Sequence, residues 1–212
     1  MDLADLRREY AARGLRRHDL DSDPFEQFGR WFDEAQRGEV LESNAMSLAT
    51  VDAAGQPSQR TVLLKYFDRE GLVFFTNLES RKAMHIAANA KVSLLLFWSE
   101  LERQVALEGV AERVPGKEAM AYFLRRPRGS RIGAWVSKQS SIVGSRQLLE
   151  AKFEEIKRKF AGGDVPLPSF WGGFRVRPHR FEFWQGRPNR LHDRFQYRRD
   201  GDQSWAIERL AP

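Results

Sequence analysis

An antiparallel β-barrel with flanking helices, mainly β within the α+β class, is the fold this sequence predicts, and three observations predict it. From Ala45 onward, runs of β-prone residues are separated by short turn-like stretches such as Asp52-Ala53-Ala54-Gly55 and Asp68-Arg69-Glu70-Gly71, the pattern of hairpins. No regular alternation of strand and helix is present, so a parallel sheet has no crossover units to build it. Neither a GxGxxG segment nor a P-loop occurs, which argues against a doubly wound nucleotide fold and for a closed barrel.

Taken in order, Leu3 to Arg13 reads as a short basic helix ended by Gly14. Asp23-Pro24 opens a second helix, with an acidic N-cap and proline at the first position. Phe25, Phe28, Trp31, Phe32 and Ala35 then recur at helical spacing up to Gly38, and such a face is core or interface. Strands are expected at Met46–Val51, Gln59–Tyr66, Leu72–Thr76, Val92–Trp98, Arg103–Arg113, Gly173–Val176, Arg180–Gln185, Arg194–Arg198 and Trp205–Arg209. Further helices are expected at Arg81–Asn89, Lys117–Leu124, Arg131–Ser137 and Arg146–Phe160, and Ala161 to Pro168 is the most linker-like stretch. Residues 1–20 read as an N-terminal basic arm and 21–212 as one domain.

The 212 residues, 42% of them hydrophobic, suffice for one substantial core. No apolar stretch approaches the roughly 20 residues that cross a bilayer, and Met1-Asp2-Leu3-Ala4-Asp5 lacks the order of a signal peptide, so a cytoplasmic protein without membrane partners is expected. Zero cysteines exclude disulfides, thiolate nucleophiles, cysteine-held iron–sulfur clusters and sulfur-linked flavin; any redox chemistry needs a bound cofactor. His18, His85, His179 and His192 have no paired ligand spacing, and no metal is expected. A net charge of +6 and a pI near 9.8 point to an anionic partner. The cations are scattered among acids, with conspicuous pairs at turns and helix starts, which ranks small phosphate esters above nucleic acid.

Four segments carry chemistry. Arg190-Leu191-His192-Asp193-Arg194 follows the aromatic segment Phe181 to Gly186, a mixture suited to a flat, charged heteroaromatic ligand, or else an edge strand with solvated cations. At Thr76 to Lys82 a strand ends, Ser80 can cap, and a helix begins with Arg81 and Lys82, cations that oppose the helix dipole unless an anion sits there. In Gln59 to Lys65 the odd spacing puts Arg60 and Lys65 on opposite faces of a regular strand, serving two anionic groups or snorkelling into water. Tyr122 to Ser130 ends a helix in a Pro/Gly loop rich in donors, a phosphate site or a cation pair favouring the dipole. Trp135 to Ser141 adds amides and hydroxyls, while Pro166 to Phe174 reads as a rigid structural turn.

With these residues in view, the chain resembles the pyridoxine/pyridoxamine 5′-phosphate oxidase family. The resemblance runs from Leu6-Arg7-Arg8-Glu9-Tyr10 through Arg60–Lys65, Ser80-Arg81-Lys82, Leu101–Val105, Ile132–Ser141 and Pro166–Phe174 to Arg190–Arg194 and Arg209-Leu210-Ala211-Pro212. It implies an FMN-binding split barrel, a homodimer with FMN at the interface, phosphorylated pyridine substrates, and O2 as acceptor with release of hydrogen peroxide. It further implies FMN contacts at Arg60, Thr61, Val62, Leu63, Leu64, Lys65, Phe75, Thr76, Arg81, Lys82, Gln104, Gln139, Ser140, Trp184 and Arg194. The implied substrate contacts are Arg7, Arg8, Glu9 and Tyr10 as a lid, with Lys65, Tyr122, Arg126, Ser130, Arg190, Leu191 and His192; Arg190 and His192 are the catalytic pair. Phe75 stands where many relatives have Tyr, and Ser58 where they are often aromatic. A split-barrel flavoprotein with another electron donor, such as a flavin reductase, is the first rival reading, and a basic nucleic-acid-binding module the second.

Overall fold

A computed structural model describes Tyr10 and residues 13–136, 138–201 and 204–212. Arg7, Arg8 and Glu9, with most of the expected first helix, lie outside the described residues. Helix α1 (Pro24–Arg37) starts where the Asp23 carboxylate accepts the Phe25 N–H at 2.8 Å, and it buries Phe25, Phe28, Trp31 and Ala35 as their spacing requires. That face meets Trp98, Phe181 and Phe183 inside the barrel, where full burial of each such side chain contributes about 1.5–3 kcal/mol.

The strands are β1 (Ala45–Val51), β2 (Pro57–Leu63), β3 (Tyr66–Asp68), β4 (Gly71–Asn77), β5 (Lys91–Trp98), β6 (Arg103–Arg113), β7 (Trp171–Gln185), β8 (Asp193–Asp200) and β9 (Ser204–Leu210). They pair antiparallel in the order β2-β1-β5-β6-β7-β4-β3, and β8 and β9 extend the sheet from the far half of β7. Helix α2 (Arg81–Ala88) follows β4, and α3 (Gly116–Arg125), α4 (Arg128–Val136) and α5 (Arg146–Lys159) lie between β6 and β7. These last three cover a second core of Val73, Phe123, Ile132, Ile156, Val165 and Trp171.

Several expectations are corrected. The barrel is split, as the family resemblance implies, and not closed as the hairpin pattern alone suggests: β2 and β3 end the strand order without a ladder between them. The strand expected to run from Gln59 to Tyr66 stops at Leu63, because the backbone changes partner there. Leu64 N–H donates to Asn44 C=O and Lys65 N–H to Val73 C=O, each at 2.8 Å, which stitches β1 to β4 across the seam. The two strands expected at Gly173–Val176 and Arg180–Gln185 are one. Pro178 donates no hydrogen bond, and the register against β6 slips at that point, Glu108 facing Arg180 and Gly109 facing Pro178, so that His179 is the extra residue of a bulge. Gly109 is required there: a Cβ would lie 2.4 Å from the Arg177 carbonyl oxygen. Ser80 does not cap α2 through its side chain. Ala161 to Pro168 is no linker; Val165 is fully buried, and the Pro166 carbonyl accepts from the Trp135 indole at 2.8 Å.

Candidate functional site

Three groups of the expected residues assemble, and each owes its position to a different pair of elements. The first lies where α2 begins against β1 and β2. Arg60, on the edge strand β2, folds back so that Nη1 donates to the Leu48 carbonyl at 3.1 Å and the Thr50 hydroxyl at 2.7 Å, and Nη2 to the Ser58 hydroxyl at 2.7 Å. Lys82 is buried, and its ammonium donates to Thr76 Oγ1 (3.1 Å), Ser80 Oγ (3.3 Å) and Gln139 Oε1 (2.8 Å). Ser140 Oγ accepts the Arg81 N–H at 3.2 Å. Among the described residues, the oxygens that Arg60 and Lys82 bond are all neutral. Burial, then Arg60, pushes the Lys82 ammonium down to about 8, and burial, then Arg81, lowers Arg60. A desolvated cation cluster without a carboxylate fits a phosphate monoester, whose charge would reverse both shifts.

The second group lines a cavity of about 450 Å³ formed by Leu63, Lys65, Phe75, Tyr122, Arg126 and Ser130, with Trp171. The alternation continues past the strand end, with Val62 and Leu64 buried and Leu63 and Lys65 exposed, so Lys65 faces the cavity beside Leu63 as its odd spacing from Arg60 requires. Ser130 stands in the first turn of α4 rather than in a loop. The rings of Phe75 and Tyr122 stack at 4.2 Å and 8°, Phe75 and Trp171 at 5.3 Å and 2°, and the Arg126 guanidinium lies 5.1 Å from the Trp171 ring. Burial lowers Arg126, and its Nη1 is buried without a hydrogen-bond partner, as is Tyr66 Oη. An anion entering the cavity would satisfy the guanidinium.

At the other end of β7, strand register aligns Gln104 with Trp184 and Trp184 with Arg194. His192 lies 4.7 Å from the Trp184 ring, and Tyr10 meets both edge-on at 5.6 and 5.7 Å. Gly186 leaves room for Tyr10, since a Cβ would come within 2.7 Å of its ring. His192 Nδ1 accepts the Arg187 N–H at 3.1 Å, which leaves the proton of a neutral imidazole on Nε2. Asn189 and Arg190 both adopt left-handed backbone (φ 56° and 61°), and Arg190 and Leu191 are exposed. Arg194 already spends three donors, two on Glu182 at 2.8 and 3.1 Å and one on the Ala211 carbonyl.

Thr61 and Leu63 are exposed on the edge strand, whereas Val62 and Leu64 point into the core and offer only backbone to a ligand. Sequence reasoning missed Trp171, read as structural, and the hydroxyls of Thr50 and Ser58. The clue for Thr50 was a polar residue at the inward position that Met46 and Leu48 share. The groups also lie at different levels of β7. Phe75 is paired with Gly173 on β7, and Trp184 lies eleven residues further on, about 36 Å of strand contour.

Residues 32–160 match the family described as pyridoxamine 5′-phosphate oxidase, and 171–212 match the pyridoxine 5′-phosphate oxidase C-terminal dimerisation region. The chain is 60% identical to the pyridoxine/pyridoxamine 5′-phosphate oxidase of Rippkaea orientalis over the full length of both. It is 58% identical to the protein of that name from Shewanella sediminis, over 99% of each. Among solved structures, PhzG of Burkholderia lata, in complex with tetrahydrophenazine-1-carboxylic acid, superposes with a TM-score of 0.89 at 30% identity over 95% of this chain and 99% of that one. An FMN-binding, pyridoxamine 5′-phosphate oxidase-related protein of Nostoc punctiforme shares the fold, with a TM-score of 0.74 at 16% identity over 91% and 100%.

Proposed function

The chain belongs to the pyridoxine/pyridoxamine 5′-phosphate oxidase family, and from that premise we propose that two copies of it build each active site, one supplying the two phosphate cradles and the other the Trp184–His192 end. It is an FMN-dependent oxidoreductase that oxidises pyridoxine and pyridoxamine 5′-phosphates. The observation that carries the two-copy reading is the placement of the two groups toward opposite ends of β7, Phe75 paired with Gly173 and Trp184 eleven residues further along the strand, an arrangement that lets the Tyr122 end of one chain and the His192 end of another meet on one substrate. The dimerisation region at 171–212 contains the Trp184–His192 end, which supports the same arrangement.

Arg60, Arg81 and Lys82, with Thr76, Gln139 and Ser140, hold the FMN phosphate. The exposed row of β2 from Thr61 to Lys65 with Phe75 borders the ring system, and the Gln104–Trp184–Arg194 row closes on it from the partner copy. When bound, FMN supplies the two-electron acceptor for the C4′–H bond of the substrate. Lys65, Tyr122, Arg126 and Ser130 hold the substrate phosphate, and Arg126 gains there the acceptor its Nη1 lacks. Arg190 covers the outer face of the pyridine. His192, its Nδ1 occupied by the Arg187 N–H, donates from Nε2 to the ring oxygen. Leu191 contacts the substrate beside His192, and residues Arg7, Arg8, Glu9 and Tyr10 act as the lid, a reading supported by the docking of Tyr10 on Trp184 and His192. The oxidase reading makes O2 the terminal acceptor and hydrogen peroxide its product, in the cytoplasm. No helix among the described residues is long and apolar enough to cross a membrane. A flavin reductase would have no use for the Tyr122–Ser130 cavity.

Subunit complementation tests the shared site. Arg126→Ala and Arg190→Ala are each inactive alone; unfolded and refolded together, they regain activity, because mixed dimers contain one intact site. Recovery no greater than the sum of the separate variants would return both residues to one chain. Anaerobic bleaching of the flavin band by pyridoxine 5′-phosphate, reversed by air, reads the reaction itself.

A further inference from the structure

Behind Arg60 lies a buried histidine that the catalytic reading does not use. His85, on the inner face of α2 one turn after Lys82, is 6% exposed. Its Nδ1 lies 3.2 Å from the Thr50 hydroxyl and 3.4 Å from the Ser58 hydroxyl. Those two residues are cross-strand partners in the β1–β2 hairpin, and both hydroxyls already accept from the Arg60 guanidinium at 2.7 Å. A hydroxyl whose oxygen accepts from a guanidinium still has its own proton to place, and cooperativity makes it a stronger donor. Nδ1 of His85 is within reach of both hydroxyls, and its single lone pair is placed for the Thr50 proton at 3.2 Å, with the Ser58 hydroxyl sharing it at 3.4 Å.

We propose that His85 is a positioning residue for the FMN phosphate: as an acceptor at Nδ1 it orients the Thr50 hydroxyl and, at the longer distance, the Ser58 hydroxyl, which hold the Nη1 and Nη2 atoms of the Arg60 guanidinium in place so that its remaining donors face the cradle. The proposal rests on the assignment of Arg60 and Lys82 to that phosphate. Three of the five Arg60 donors are committed, to Leu48, Thr50 and Ser58, and two stay free for a ligand. The arrangement depends on Ser58, whose hydroxyl lies within reach of both Arg60 and His85.

The test compares FMN with riboflavin, which lacks the phosphate, by fluorescence quenching on titration of the flavin-free dimer. The ratio of the two dissociation constants reports the phosphate contribution alone. His85→Leu keeps the volume and removes the acceptor; it should shrink that ratio about tenfold while leaving riboflavin affinity unchanged. His85→Gln, whose amide oxygen can accept from either hydroxyl, should restore it to within about twofold. Ser58→Ala, at a half-exposed strand position, should shrink it in the same direction and serves if the His85 variants fold poorly. An unchanged ratio in both His85→Leu and Ser58→Ala overturns the positioning role, as does equal loss of FMN and riboflavin. Lys82→Met separates the two layers: if it too leaves the ratio intact, the phosphate lies elsewhere and the site assignment itself fails.

Discussion

Two arginine-rich regions of this barrel behave in opposite ways. On the outer face of β7 and β8, cations are answered by carboxylates: Arg175 by Asp68, Arg177 by Glu112 at 2.7 Å, Arg180 by Glu108 at 3.0 Å, and Arg194 by Glu182 through two bonds. Hydrogen bonding to those acids raises Arg177 and Arg194 above their ordinary value. Around α2 and the Tyr122 cavity, Arg60, Lys82 and Arg126 are desolvated, have no carboxylate partner among the described residues, and are all lowered. Net charge alone does not distinguish the regions; the counter-ion does. A cation given a carboxylate is satisfied within the chain, and one given only neutral oxygens is held at a cost that a phosphate repays.

Substitutions should break this contrast by amounts that follow burial. The largest effect belongs to Arg126→Ala, which should lower kcat/KM by about 1,000-fold, the scale for losing one partner of a buried charge pair, with FMN affinity unchanged in fluorescence titration. Lys82→Met should weaken FMN binding about 100-fold, while calorimetry of the flavin-free protein shows a melting temperature no lower than that of the parent, because a desolvated charge has been removed. A fall in that melting temperature would mean that Lys82 is already satisfied within the fold.

The titration of Lys82 sharpens the same point. Its folded value, about 8, lies below its ordinary 10.5, so below pH 8 the flavin-free protein carries the full cost of the buried ammonium. Stability from this group should therefore rise between pH 8 and 10.5 as the folded form releases its proton first, and FMN affinity should fall over the same range as the cradle loses a charge. Lys82→Met should flatten both profiles. On the paired face the effects shrink: Glu182→Gln should cost about 1–2 kcal/mol in denaturant unfolding, since its side chain is only 12% exposed. Arg177→Ala, at an exposed pair, should cost less than about 0.5 kcal/mol.

What was legible in the sequence was whatever depends on neighbours along the chain. The α1 face, the hairpin turns, the cations opening α2 and the donor-rich end of α3 all follow from spacing and capping, and the family resemblance carried the chemistry with them. The reading of Gln59 to Tyr66 as one strand failed at Leu63 and the two-strand reading failed at Pro178, because both depend on which strand the backbone pairs with next, a matter of long-range register. The sequence by itself determined the fold class, the cofactor and the reaction, through local pattern and resemblance. Only the tertiary structure decided which arginines are spent on carboxylates and which are kept for a ligand, and it alone set Thr50, Ser58 and His85 behind Arg60. The reason is physical: a charge is priced by burial and by the partner within about 4 Å, and both are properties of the packed chain rather than of its order.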